Sequence, residues 1–521
     1  MVLPNISKAK YWENFEATDE DIEFLYNKLF ELETPLKTND LVKLLIKERI
    51  RIEKEKIEKI NSLKDDIYLP KDDYEVGQRI SFPAFNPSQG KVIAKRPGNN
   101  PQLGSFSVLE IEFLNGEKKL FASSLAHHEL NDTIISPEDD SAFDFDNTFT
   151  TYRRSIANAL TAQLENNEDL VQIAGYWFPR SLLVDIGAGY LNLAEAVLEV
   201  ADGGPLTTQS ILGQIDLPSD SNPVLTEFSL NYALQEDQRF DEVGIAGETL
   251  WFLHRLEPEF VRSVPEYLKS EPHADYDSSY YKAKLAQINA DVFDDLETED
   301  DVEECFSEVT VGIIYPHWRA GTLPLSNCLE SLFPTAYEAP RIRFTFIDSE
   351  TGERFPGWVI RQYRYVYGLI DWYKKNDVVP GSLIHIKQGK IPGEVSLSIG
   401  KKRPTREWVR TGSTDAEGKI TFKMLKQLIS TEFDERMIIV IPEPDEFDQL
   451  WKKYKDYPLL KLVPIIFREL AKLNPQGRVH AKELYSAINC VRRISPSHTL
   501  HLLETIDEIE HLGDMYFRIK I

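Results

Sequence analysis

Cysteine is almost missing from this sequence. Its 521 residues hold three, Cys305, Cys328 and Cys490. They are far apart and odd in number, so no disulfide framework and no cysteine zinc site is readable. That usage fits a reducing compartment. Long apolar runs are missing too, and none approaches the roughly 20 residues that cross a bilayer. The start, MVLPNISKAKYWENFEATDEDIEFL, has no apolar segment behind a basic one. These absences predict a cytoplasmic chain, free to associate with the nucleoid, with no membrane partner. Catalytic signatures are also absent: no Walker loop, GxGxxG, HExxH or GxSxG occurs. His127-His128 has no Cys or His cluster near it in sequence. Glu117-Lys118-Lys119 has no placed acidic partner, and Asp371 and Glu394 have no readable pairing. The expectation is a non-enzyme with no cofactor and no metal.

Positive charge is scarce overall. Lys and Arg number 59 against 85 Asp and Glu, a net charge of −26. Phosphate repels such a surface, which argues against a uniformly DNA-binding protein. The distribution is uneven, however. Residues 1–340 hold 29 Lys and Arg against 61 Asp and Glu, residues 341–426 hold 17 against 9, and residues 427–521 hold 13 against 15. One block is therefore at +8 between neighbours at −32 and −2, the kind of asymmetry that marks a local polyanion site.

Periodicity divides the chain into modules. Residues 1–70 read as an N-terminal helical domain, with Thr18 capping one helix and Thr38 a second. Residues 71–131 change to short strands. Val108, Ile111 and Phe113 face Leu120 and Phe121 across Asn115-Gly116, a hairpin signal of a small SH3-like barrel. Such barrels bind peptides, RNA or polymerase, or act as spacers. Residues 132–150 are an acidic linker, 151–290 a helical unit, and 291–307 a second acidic linker. Strands return over 308–430, a connector covers 431–456, and 457–521 is helical with a final hairpin. The expected class is an α+β multidomain chain of helix-turn-helix modules with wings, alternating with small antiparallel barrels.

Two modules end alike. RFDEVGIAGETLWFL (239–253) and EIEHLGDMYFRI (508–519) share an apolar residue, Val243 or Leu512, then Gly244 or Gly513, then aromatic Trp251 or Phe517. Helices followed by such a glycine-turned hairpin describe a winged helix, the glycine supplying positive φ. Pro205-Leu206-Thr207-Thr208, the helix to Ala233-Leu234 and Arg239-Phe240-Asp241-Glu242-Val243-Gly244 resemble the HARE-HTH winged-helix family. That family includes the bacterial RNA polymerase delta subunit and neighbours of restriction and chromatin proteins. The resemblance covers about 185–260, with a second winged helix over 457–521 and 1–70 as a degenerate copy. It implies transcription-related protein or DNA partners. The chain as a whole also resembles multi-module bacterial proteins. Gly357-Trp358, the 367–373 segment and Pro380-Gly381-Ser382-Leu383 resemble the pseudobarrel DNA-binding domain of plant transcription factors and some restriction enzymes.

Candidate contacts follow. The helix NPVLTEFSLNYALQED holds no Lys or Arg, which opposes direct DNA reading by the 185–260 module. In the C-terminal module Arg478, Lys482, Arg492 and Arg493 precede or flank SPSHTLHLLETI, with Arg492 and Arg493 at its N-terminal approach. In the basic block Arg341, Arg343, Arg361 and Arg364 interleave with Phe344, Trp358, Val359 and Tyr363, and are followed by Lys387, Lys390, Lys401, Lys402, Arg403, Arg406 and Arg410. Arginines alternating with aromatics can track a phosphate backbone and stack on bases. The same cations could instead pair with the acidic part of the chain, as an interface or an autoinhibitory mask. Two functions therefore stand. One is a DNA-associated regulatory or architectural protein using these residues. The other is a protein–protein scaffold in a transcription or phage-defence assembly, with no DNA contact.

Overall fold

The computed structural model describes residues 11–62, 68–82, 89–100, 104–128, 131, 143–217, 222–270, 278–289, 292–297, 306–336, 339–474 and 476–520. Two compact units emerge, Met1–Val184 with Ser221–Phe228, and Asp185–Asp220 with Ser229–Ile521. None of the described helices is long and apolar enough to cross a membrane.

In the first unit, α1 (Asp19–Leu32) opens at Thr18, which forms a reciprocal capping box with Asp21. Ile22, Leu25 and Leu29 face inward at helical spacing, whereas Phe30 and Leu32 stay exposed. Strand β1 (Leu36–Lys37) leads into α2 (Thr38–Ser62). Strands β2 (Arg79–Ser81), β3 (Gln89–Pro97), β4 (Ser107–Phe113) and β5 (Lys118–Ser123) then make an antiparallel meander in that order. The Asn115-Gly116 turn, with φ +79° at Gly116, sets Leu109 opposite Phe121. Helix α3 (Phe145–Glu165) and strands β6 (Leu170–Ile173) and β7 (Tyr176–Pro179) complete the unit.

Strand β7 lies between β1 and β6. One core unites Trp12, Leu25 and Leu45 with Ile156, Leu160 and Trp177. The N-terminal helices thus share a core with 143–179, rather than forming a domain of their own over 1–70. Their hairpin was invisible near residue 60 because the meander is inserted between the second and third helices.

The same order recurs from Ala188 onward. Helix α4 (Ala188–Val200), β8 (Leu206–Thr207), α5 (Thr208–Leu212), α6 (Pro223–Glu236), β9 (Phe240–Glu242) and β10 (Leu250–Leu253) give the sheet β8-β10-β9. After α7 (Glu259–Arg262) and α8 (Ser278–Asn289) comes a larger sheet. Its pieces are β11 (Glu308–Gly312), α9 (Tyr315–Ala320), β12 (Thr322–Pro324), α10 (Asn327–Glu330), β13 (Arg341–Asp348), β14 (Arg354–Ile360), β15 (Tyr365–Tyr367), α11 (Ile370–Lys375), β16 (Leu383–Gln388) and β17 (Glu394–Ile399). The seven strands run β11-β16-β17-β13-β14-β15-β12, with β13 and β17 parallel. Ile342, Phe344 and Phe346 alternate inward from β13 and pack with Val359, Ile384 and Leu397. A long hairpin, β18 (Lys401–Thr414) and β19 (Ile420–Thr431), joins β20 (Ile439–Val440) in the order β19-β18-β20. Helix α12 (Pro444–Tyr454) precedes a third repeat: α13 (Leu459–Ala471), β21 (Arg478–His480), α14 (Ala481–Asn489), α15 (Pro496–Thr505), β22 (Ile509–Gly513) and β23 (Tyr516–Ile519), with sheet order β21-β23-β22. The chain is thus a mixed α and β protein with several small sheets.

Register aligns the three repeats residue by residue. Leu36 faces Trp177, Leu206 faces Trp251, and Val479 faces Phe517. The Trp177 indole N–H donates to Thr38 Oγ1 at 3.0 Å. Trp251 donates to Thr208 Oγ1 at 3.2 Å and to Asn231 Oδ1 at 2.9 Å. In the third repeat Phe517 has no N–H, and Ala481 stands where the other two carry threonine. Donor and acceptor are gained or lost together, as a buried polar group requires. The two glycines at the hairpins differ in role. Gly513 has φ +100°, whereas Gly244 lacks positive φ and is needed because a Cβ there would lie 2.0 Å from the Glu248 carbonyl oxygen.

Candidate nucleic-acid interface

Most of the cations singled out by sequence are used inside the protein. Arg341 and Arg343 alternate outward from β13, but that face is covered. The Arg343 amide donates to the Val243 carbonyl, and Trp358 packs edge-on against Phe252. Arg343 lies over the Phe252 ring, and burial lowers its pKa. Arg341 bonds Asp241 at 3.2 Å and Glu257 at 3.3 Å. Arg361 donates to the Pro334 carbonyl, and Arg364 to Asn327 Oδ1 at 2.7 Å. Arg410 pairs with Glu483 at 3.2 Å, and its pKa is lowered by burial despite that carboxylate. Lys482 pairs with Asp434 and is buried.

The C-terminal pair is the clearest correction. Arg492 donates to the Tyr454 carbonyl at 2.8 Å, and both arginines are buried. Arg493 holds Asp294 at 2.7 Å and Asp295 at 2.6 Å. Burial opposes its charge, but the two carboxylates outweigh burial and hold its pKa well above the usual value. Asp295 also meets His317 Nε2 at 2.8 Å, and Glu297 accepts from the Ser497 amide at 2.7 Å. Within the expected linker 291–307, residues 292–297 therefore form a packed acidic strap. It occupies the N-terminus of α15, where a phosphate contact was expected. Helix α8 lies along α15 as well, with Lys284 paired to Glu504.

Asp241, His254 and Glu257 form a second acidic cluster, each with one ligand atom within 4.8 Å of the others. Such a His and two carboxylates could hold a divalent ion. Here the Arg341 guanidinium already bonds both carboxylates. Burial, then the Asp241 charge, push Glu257 up to about 8, with Arg341 offsetting part of the rise.

What remains at the surface gathers on the β18–β19 hairpin. Lys387 is exposed beside Glu308, and Lys390 and Arg478 are exposed elsewhere. The side chains of Lys401 and Lys402 lie outside the described residues. Arg403 and Arg406 are exposed on β18, and Lys423 and Lys426 are exposed on β19. None of these four makes an ion pair with another described residue. Sequence reasoning missed Lys426 and Trp408, which face each other, and Lys423, which faces Thr411 on the opposite side. The indole is 61% exposed, with Lys426 Nζ 5.5 Å from its ring centroid. Period-two spacing in REWVR and KMLKQL was the available signal.

Register explains the cluster. Trp408 faces Lys426, and Arg406 faces Leu428, on one side of the hairpin. Val409 and Ile429 occupy the other side and pack with Ile438. Toward the turn, the Trp408 side is covered where Gly412 approaches Phe447. The turn is fixed by Asp415, which accepts from the Glu417 and Lys419 amides. Away from the turn the face is open, and beside it lies a cleft of about 580 Å³. Pro404, Leu428, Trp318, Ile370 and Val379 are among the residues that line it.

No family model, no curated protein and no solved structure matches this chain.

Proposed function

We propose that this chain is a nucleic-acid-associated regulatory or architectural protein that contacts its ligand through the β18–β19 hairpin. The observation that carries the reading is exposed Trp408 with Arg406 and Lys426 beside it on one side of the hairpin. Cations that make no ion pair with another described residue, beside an exposed aromatic, suit a phosphate backbone and its bases. In a chain of net charge −26 such a cluster is a local exception, so binding would be confined to it. Arg341, Arg410, Lys482 and Arg493 serve instead as internal ion pairs.

The three repeats read as winged helix-turn-helix modules, since each has the order helix, strand, two helices and hairpin, with the last strand central. Their role in this reading is to hold partners and the hairpin, not to read bases. The HARE-HTH and pseudobarrel resemblances belong to the same proposal. A scaffold without nucleic acid is the second reading. It is favoured by the coverage of α15, whose N-terminus is taken by Glu297 and whose side is taken by α8.

The test is binding of the full chain to labelled oligonucleotides, duplex and single-stranded, across a salt series. Neutralising Arg406 and Lys426 together is expected to flatten the log–log salt slope by about 1.5–2. Failure of the unaltered chain to bind any oligonucleotide at about 50 mM salt would overturn the proposal and leave the scaffold.

A further inference from the structure

We propose that the hairpin takes single-stranded rather than duplex nucleic acid, with one base stacked on Trp408 and a neighbouring base seated against Leu428 and Pro404 in the adjoining cleft. This inference rests on the nucleic-acid reading above and names its ligand class.

Apolar exposure carries the first step. Trp408 and Leu428 are 61% and 67% exposed, and the strand register puts them on the same side. They are diagonal neighbours, because Trp408 faces Lys426 and Arg406 faces Leu428. Diagonal side chains in an antiparallel pair stand roughly 7–8 Å apart, within reach of adjacent bases on one strand. The two cations occupy the other corners of the square. The surface is thus a checkerboard of two apolar and two cationic side chains.

A duplex offers little to such a pattern. Its base faces are stacked inside, and its outer surface is phosphate, sugar and groove edge. Large apolar side chains would sit against charge and water there. A single strand exposes its base faces and carries its phosphates beside them. Stacking on an aromatic ring tolerates any base, and the cations follow the backbone.

The cleft supplies the second step. Its volume of about 580 Å³ falls within the roughly 300–1,000 Å³ of small-ligand pockets. Trp318, Ile370, Val379, Pro404 and Leu428 make its walls largely apolar, and the charged residues Arg319, Lys374 and Asp377 line it as well. Leu428 belongs both to the open checkerboard and to the cleft, so the surface leads directly into it. A flat base fits apolar walls with a cation nearby, whereas an acidic peptide would leave the apolar area unused.

The experiment compares the full chain on an oligothymidylate of about 20 nucleotides, on the same strand annealed to its complement, and with a polyglutamate competitor. Single strand is expected to bind about tenfold tighter than duplex and to quench tryptophan fluorescence. Trp408→Ala should weaken single-strand binding about tenfold, and Trp408→Phe should restore most of it. Leu428→Ser should also weaken it, while duplex binding stays within about twofold. The exposed position of both residues lets the variants fold, which thermal melting checks. Equal or tighter duplex binding, or no effect of Trp408→Ala, overturns this inference while the proposed function stands. Displacement of the strand by polyglutamate at equal charge concentration overturns it in favour of an acidic peptide. No binding to any oligonucleotide removes both.

Discussion

Arg493 and Asp294 form a buried ion pair, Nη2 to Oδ1 at 2.7 Å, between positions 199 residues apart in sequence. Neither side chain retains exposed surface. Buried ions lose hydration, and further bonds from Arg493 to Asp295, Asn489 and the Ile494 carbonyl offset that loss, while its Nε has no partner among the described residues. Arg493→Met should therefore leave two buried carboxylates uncompensated and cost about 3–5 kcal/mol in urea unfolding. Adding Asp294→Asn and Asp295→Asn to that variant should recover part of the loss. Nucleic-acid affinity of the folded variant should match the unaltered chain.

The threonine–tryptophan pairs give a graded prediction. Thr38→Val removes the acceptor of the Trp177 indole and should cost about 1–2 kcal/mol. Thr208→Val should cost less, because Trp251 still donates to Asn231 at 2.9 Å. Urea denaturation of the two variants checks the order. Equal costs would mean that Asn231 does not hold the indole alone.

The same comparison shows what the sequence could convey. The helix-then-hairpin order of the second and third repeats was readable, because their strands follow their helices directly. The first repeat was not, because a meander separates α2 from α3 and moves the hairpin beyond residue 169. Alternation in β13 was equally readable, yet it reported two faces without saying which meets solvent. Arg341 and Arg343 point away from the core of their sheet but into the covering module. The acidic run at 291–304 looked like a solvated linker because its partner, Arg493, lies far along the chain. Trp408 was overlooked because its importance comes from Lys426 and Leu428 on the opposing strand, a relation that only the register supplies.

Two glycines in one hairpin should respond differently to alanine. Gly247 has φ +101° and open space around it, so Gly247→Ala should cost roughly 1–2 kcal/mol from backbone strain. Gly244 has an ordinary φ, but a Cβ would collide with the backbone oxygen of Glu248. That oxygen cannot rotate away, so the strand pair must open. Gly244→Ala should cost about 3 kcal/mol, the larger of the two. Thermal melting of both variants tests the order.

Glu257 sets a pH dependence of stability. Burial and Asp241 push its folded pKa up to about 8, while an unfolded glutamate titrates near 4.3. Between those values the folded state holds a proton that the unfolded state has released. Stability from this group is therefore full below about pH 4.3, falls as pH rises, and levels off above about 8. Glu257→Gln fixes the neutral form with nearly the same shape. At pH 4 the carboxyl is protonated in the folded state and largely protonated in the unfolded state, so the variant should melt at nearly the same temperature. At pH 8 it should be more stable, on the order of 1–3 kcal/mol. Arg341 keeps its bond to Asp241 in both cases, so the change isolates the Glu257 charge. If the variant instead loses stability equally at both pH values, Glu257 is ionised in the folded chain, and its bond to Arg341 outweighs burial.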